Sequence, residues 1–180
     1  MVDDNATGQI VPEQRTYLVD RQRMHFEGLF VVADLYRTID EYFEEKGYDK
    51  REVINAEIVR DDGVRYIELV FEPWKKITDY AKSVIKLKVI MEDVKTVEIE
   101  RDGLKINANH GKILFQFTAY TETDYESRWH NKDRIAFTFI RVLFDKYFFK
   151  RYTQLYEAEC MDDLKLLMFH IKTYLNINKM

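Results

Sequence analysis

The chain has 180 residues, 46% of them hydrophobic and 33% charged, with 2 Pro, 6 Gly and a net charge of −4. That balance excludes a disordered or low-complexity polypeptide, and the length suits one domain able to bury a sizeable core. The single cysteine, Cys160, excludes an intrachain disulfide framework; with an acidic, polar opening that lacks a secretory leader pattern, the expected location is cytoplasmic.

The charge is distributed unevenly. Residues 1–127 carry 18 Lys+Arg against 26 Asp+Glu, and residues 128–180 carry 10 against 6. An acidic body with a mildly basic tail lacks the dense cationic footprint of a nucleic-acid binder. It suits head-to-tail contacts between copies, and internal pairing of the two parts equally well.

Residues 1–22 have no period and read as an extended N-terminal arm, either frayed or ordered against a neighbouring copy. Residues 23–180 read as a single α+β domain. A strand starts at Met24, with Met24, Phe26 and Phe30 on one face and His25, Glu27 and Leu29 on the other. A helix follows from about Ala33, where Leu35, Tyr36, Ile39, Tyr42 and Phe43 form one apolar stripe and Gly47 is the expected stop.

Six strands come next. Ile54, Ala56 and Ile58 alternate up to a turn at Asp62-Gly63, and Ile67, Leu69 and Phe71 alternate out of it until Pro73. Residues 74–82 are ambiguous between loop, helical turn and strand. Ile85, Leu87, Val89 and Met91 alternate, and Val97 and Ile99 extend the pattern to a hairpin at Asp102-Gly103. Leu104, Ile106 and Ala108 lead to a third expected turn at His110-Gly111, after which Ile113, Phe115, Phe117 and Ala119 form the last strand. Short turns make consecutive strands antiparallel neighbours, so the expected sheet is a meander of six to seven strands.

Two C-terminal helices complete the pattern. The first covers RIAFTFIRVLFDKYFFKRY, residues 134–152, with Asn131 as its N-cap. Charges at Arg134, Arg141, Asp145, Lys146, Lys150 and Arg151 surround it, which excludes a membrane span and an interfacial helix. It has two apolar stripes and needs two coverings. One covering is the sheet. The other is either the last helix or another chain, which makes Phe137, Arg141, Phe144 and Phe148 candidate interface residues. The last helix carries Leu164, Leu167, Met168, Ile171 and Leu175 on one stripe, with Asp162-Asp163 expected at its start.

The order β-α-β6-α-α resembles the helix-grip arrangement of START and Bet v1-like lipid-binding proteins. The resemblance lies in element order and implies a curved sheet around a long C-terminal helix with an apolar cavity between them. Trp74, Phe115, Phe117 and Phe139 are then the candidate cavity lining.

Catalytic and metal signatures are not found. Glu122, Asp124, Glu126 and His130 form the nearest approach to a hard-metal cluster, and they read as a solvated linker. His25 and Glu27 share a strand face without a nucleophile beside them, and Lys86, Lys88 and Lys95 occupy solvated strand positions. No P-loop, dinucleotide fingerprint or nucleophile elbow occurs. The sequence leans toward a non-enzymatic structural or interaction subunit that self-associates or binds another protein, with no catalytic residue, metal, cofactor, nucleic acid or membrane. A carrier of a small apolar ligand is the second reading.

Overall fold

A computed structural model describes residues 14–78, 81–101, 104–123 and 150–177. The elements are β1 (Gln14–Phe30), α1 (Val32–Glu45), β2 (Glu52–Val59), β3 (Arg65–Phe71), β4 (Trp74–Lys76), β5 (Ala81–Arg101), β6 (Leu104–Thr123) and α2 (Lys150–Ile177). The fold is α+β. The six strands form one antiparallel sheet in the order β1-β6-β5-β3-β2, with β4 pairing along β5.

The core lies between one face of this sheet and the two helices. Ile85, Leu87, Val89 and Met91 of β5 and Ile113, Phe115 and Phe117 of β6 meet Leu164, Leu167 and Ile171 of α2, all fully buried. α2 crosses β1, β5 and β6 and packs beside α1. The amphipathic stripe of α1 is used as its spacing implies, with Leu35, Ile39, Tyr42 and Phe43 buried. The helix ends at Gly47 (φ +70°), and the Tyr48 amide reaches back to Phe43 O at 2.9 Å, a left-handed C-terminal closure that turns Tyr48 inward.

Four sequence expectations are corrected. First, β1 starts at Gln14, so residues 14–22 of the expected arm are strand, paired with this chain's own β6 from Gln14↔Thr123 onward. A register shift near Arg21 (φ +50°) breaks the alternation there, which hides the strand in the sequence.

Second, His110-Gly111 is no turn. It sits inside β6, opposite a bulge in β5 where Glu92 pairs with Lys112 and Lys95 with His110. Asp93 (φ +54°) is at this bulge. A Cβ on Gly111 would lie 2.9 Å from Glu92 O and 3.1 Å from Val94 Cα. The glycine is there for close approach of two backbones, the other reason a strand carries one. β5 and β6 are therefore two long strands joined once, with Arg101 paired to Leu104.

Third, the bulge reverses which positions face the helices. Before it, odd residues of β5 face the core; after it, Thr96 opposes Asn109 on that side, and Val97 and Ile99 turn to the opposite face. Fourth, Asp162 and Asp163 lie near the middle of α2, not at its start, and Asp163 is buried. The ambiguous stretch contains the short strand β4. The helix expected over 134–149 and its N-cap Asn131 lie outside the described residues, and residues 150–152 belong to α2.

Candidate functional site

β2 departs most from the alternating in-and-out pattern of the sheet. All eight of its residues are exposed, whereas the β3 residues beside it are half-buried or buried. Val53 is 47% exposed, Ile54 39%, Ile58 59% and Val59 62%. Among the described strands, β2 has a neighbour on one side only. Arg60 donates its backbone N–H to Val64 O at 2.9 Å, in register with Ile58↔Tyr66 and Ile54↔Val70. Ile54, Ala56 and Ile58 therefore bond toward β3, and period-two alternation turns the backbone groups of Asn55, Glu57 and Val59 to the open edge; a bulge between Glu52 and Ile54 shifts the phase before them, where Arg51 O accepts from the Glu72 N–H at 2.7 Å. Long, apolar, uncovered edges are what natural sheets normally guard against, with lysine, proline or an overlying element.

A cleft of about 640 Å³ opens on the helix side of the sheet, beyond the core. Ile67 and Leu69 of β3 form its floor; Tyr36 of α1, Arg65 of β3, Thr96 of β5 and Asn107 of β6 stand around it. Arg65 donates to Glu57 Oε1 at 3.2 Å and to Thr96 Oγ1 at 3.4 Å. Asn109 serves the fold, since its Oδ1 accepts the Val32 N–H at 3.2 Å. The α1 N-cap, Val31, has no capping side chain, and its own N–H donates to the Tyr174 hydroxyl at 3.0 Å. The first turn of α1 is thus capped from β6 and α2.

A third cluster is polar and buried. The Tyr42 hydroxyl donates to Asp163 O at 2.5 Å, the Tyr48 hydroxyl donates to Asp163 Oδ2 at 3.1 Å, and Lys46 Nζ lies 3.4 Å from Asp163 Oδ1. Burial raises both phenols above their ordinary value, with the nearby Asp163 adding to it. Burial also pushes the Cys160 thiol up, to about 11. A nucleophilic thiol needs the opposite shift. This cluster fastens α1 to α2, and its chemistry is that of a lock.

The candidate residues are placed as follows. Phe115 and Phe117 are fully buried under α2, with stacked rings 6.2 Å apart. Trp74 pairs with Val84, one position out of phase with Ile85 and Leu87, so the sheet lies between Trp74 and the two phenylalanines; the three do not line one cavity. Phe139, Phe137, Arg141, Phe144 and Phe148 lie outside the described residues. Glu122 is 3% exposed and lies 3.3 Å from Lys82 and 3.9 Å from Arg15, while Asp124, Glu126 and His130 are outside the described residues. His25 and Glu27 are exposed, and Lys88 is held by Glu68 at 2.7 Å. Among the described residues, no group of three or more His, Cys, Asp or Glu is placed to hold a metal, and no helix is long and apolar enough to cross a membrane.

The exposed edge was missed in the sequence because alternation of Ile54, Ala56 and Ile58 identifies a strand and its faces, not what covers them. Val53 and Val59, apolar on the other parity, were the available signal. No family model, curated protein or solved structure matches this chain.

Proposed function

We propose that this protein is a non-enzymatic interaction subunit that self-associates. The supporting observation is β2, an edge among the described strands, with eight exposed residues, apolar side chains on both faces and, on one side, backbone groups that no described strand pairs. Addition of a strand from another chain satisfies the backbone and sets cross-strand neighbours against the flanks of these side chains in one step. Leu155, Leu166 and Phe169, exposed on one face of α2, form a second apolar set in keeping with a protein that meets other proteins. The test is sedimentation velocity at tens of micromolar. A dimer or larger species is expected, and a monomer of 21.8 kDa throughout that range would overturn the reading.

A second reading, ligand carriage in a helix-grip-like domain, is supported by the cleft. Its apolar floor and polar rim have the makeup of a small-molecule site. In this reading the ligand sits beside α1, since Phe115 and Phe117 fill the space beneath α2, and it is amphipathic, with hydrogen-bonding groups for Arg65 and Asn107. Retention of such a compound from a cell extract through gel filtration, and its loss in Leu69→Trp, tests it.

A further inference from the structure

We propose that a second copy of this chain pairs its β2 antiparallel with the first, about a two-fold axis passing through Ala56. This rests on the self-association reading and specifies its partner and register.

A two-fold axis perpendicular to the sheet makes the two edge strands antiparallel and keeps equivalent faces on the same side, with both helix layers together. Paired residues must then share a face, so each register is centred on one residue. Centring on Ala56 places Ile54 opposite Ile58, the two exposed isoleucines of one face, and Asn55 opposite Glu57 on the other; a bulge between Glu52 and Ile54 ends the regular part of the strand there. Each pair occurs twice. The smallest side chain of the strand, Ala56, meets itself on the axis.

The neighbouring registers fail on the same test. Centring on Asn55 sets Ile54 against Ala56 and leaves Ile58 opposite the bulge between Glu52 and Ile54, with no apolar partner. Centring on Glu57 brings two carboxylates together on the axis and sets Ile54 against Arg60. The backbone agrees with Ala56 as centre. Asn55 and Glu57 both turn their N–H and C=O outward, and in this register they face each other twice as hydrogen-bonded pairs. Ala56 bonds to β3 and so forms a non-hydrogen-bonded pair with its copy. The product is one continuous sheet, six strands from each chain.

A disulfide test reads the register directly. The Cα atoms of a non-hydrogen-bonded pair are about 4.5 Å apart, within disulfide reach. Ala56→Cys is therefore expected to give a covalent dimer of twice 21.8 kDa under mild oxidation, since the buried Cys160 offers no competing thiol. Ile54→Cys alone and Ile58→Cys alone are expected to stay uncrosslinked, because each lies about 13 Å from its own copy. Mixed, the two are expected to crosslink. A dimer by sedimentation with no Ala56→Cys crosslink, or with crosslinking of Ile54→Cys by itself, overturns the register and leaves self-association standing. A wild-type monomer overturns both.

Discussion

β5 and β2 lie one strand apart in the same sheet, and both carry β-branched or leucine side chains at alternate positions. Ile85, Leu87 and Val89 are 0% exposed; Ile54 and Ile58 are more than a third exposed. The difference is in which face they occupy: Ile85, Leu87 and Val89 lie on the face that α2 covers, whereas Ile54 and Ile58, paired with Val70 and Tyr66, lie on the opposite face. Each fully buried aliphatic or aromatic side chain contributes about 1.5–3 kcal/mol, so the central strands carry the stability of the domain. β2 leaves most of that stabilisation unrealised within the monomer. A strand with that much unburied apolar surface is thermodynamically prepared for a partner.

The contrast is broken most severely at its buried end. Phe117→Ala removes a fully buried ring that stacks on Phe115 beneath α2, and the expected loss is about 3–5 kcal/mol in urea unfolding. A loss below about 1 kcal/mol would mean that α2 does not seal this face. Next comes Gly111→Ala. The added methyl must displace Glu92 O or Val94 Cα, both backbone, and overpacking of this kind costs about 1–3 kcal/mol. Since the bulge sets which side of the β5–β6 ribbon faces the cleft, amide exchange should accelerate from Thr96 to Asn109 more than at Leu87 and Phe117.

These two positions also show how far the fold was legible from the chain. Phe117 announces itself through alternation, and α1 through Leu35, Ile39, Tyr42 and Phe43, because burial on one face imposes a period on the residues themselves. The β2–β3 and β5–β6 hairpins follow from local turn chemistry. Gly111 could not be read the same way. A glycine in a polar dipeptide looks like a turn, and its reason for being there sits across the ladder at Val94. The same holds for Asp163, whose partners Tyr48 and Lys46 are more than a hundred residues away in sequence, and for the cap of α1 by Asn109. Contacts distant in sequence leave no period. The candidate interface of Phe137, Arg141, Phe144 and Phe148 lies outside the described residues, and the β2 edge is recognised through its exposure, at which Val53 and Val59, apolar on the other parity, only hint in the sequence.

The lock between α1 and α2 has a smaller and pH-dependent effect. Tyr48→Phe removes one buried hydrogen bond to Asp163, for an expected loss of about 1 kcal/mol at neutral pH. The folded state holds the Tyr42 and Tyr48 phenols above the ordinary 10.0 and the Cys160 thiol at about 11 instead of 9.0, in each case chiefly by burial. The unfolded chain therefore gives up these protons first. Their contribution is fully present below about pH 9 and declines as pH rises, between 9 and 11 for the thiol and above 10 for the phenols. Melting temperatures from pH 7 to pH 11 should fall over that interval, and less steeply in Tyr48→Phe than in the parent. A fall of equal slope in both would mean that Tyr48 does not contribute to the alkaline transition.

Ile58→Lys is the mildest change for the fold and the most telling for the comparison. Ile58 is 59% exposed, so the substitution removes little buried surface and should leave monomer stability within about 0.5 kcal/mol. In the proposed pairing the same lysine is set against Ile54 of the other copy, at two symmetric places, and lysine on an edge is a device by which sheets refuse further strands. The expected outcome is an unchanged urea midpoint measured at low concentration together with loss of the dimer in sedimentation. Loss of fold and assembly together would place Ile58 in the monomer's own core, contrary to its exposure. An intact dimer would show that β2 remains uncovered after assembly, and the search for the partner surface would then move to Leu155, Leu166 and Phe169 on α2.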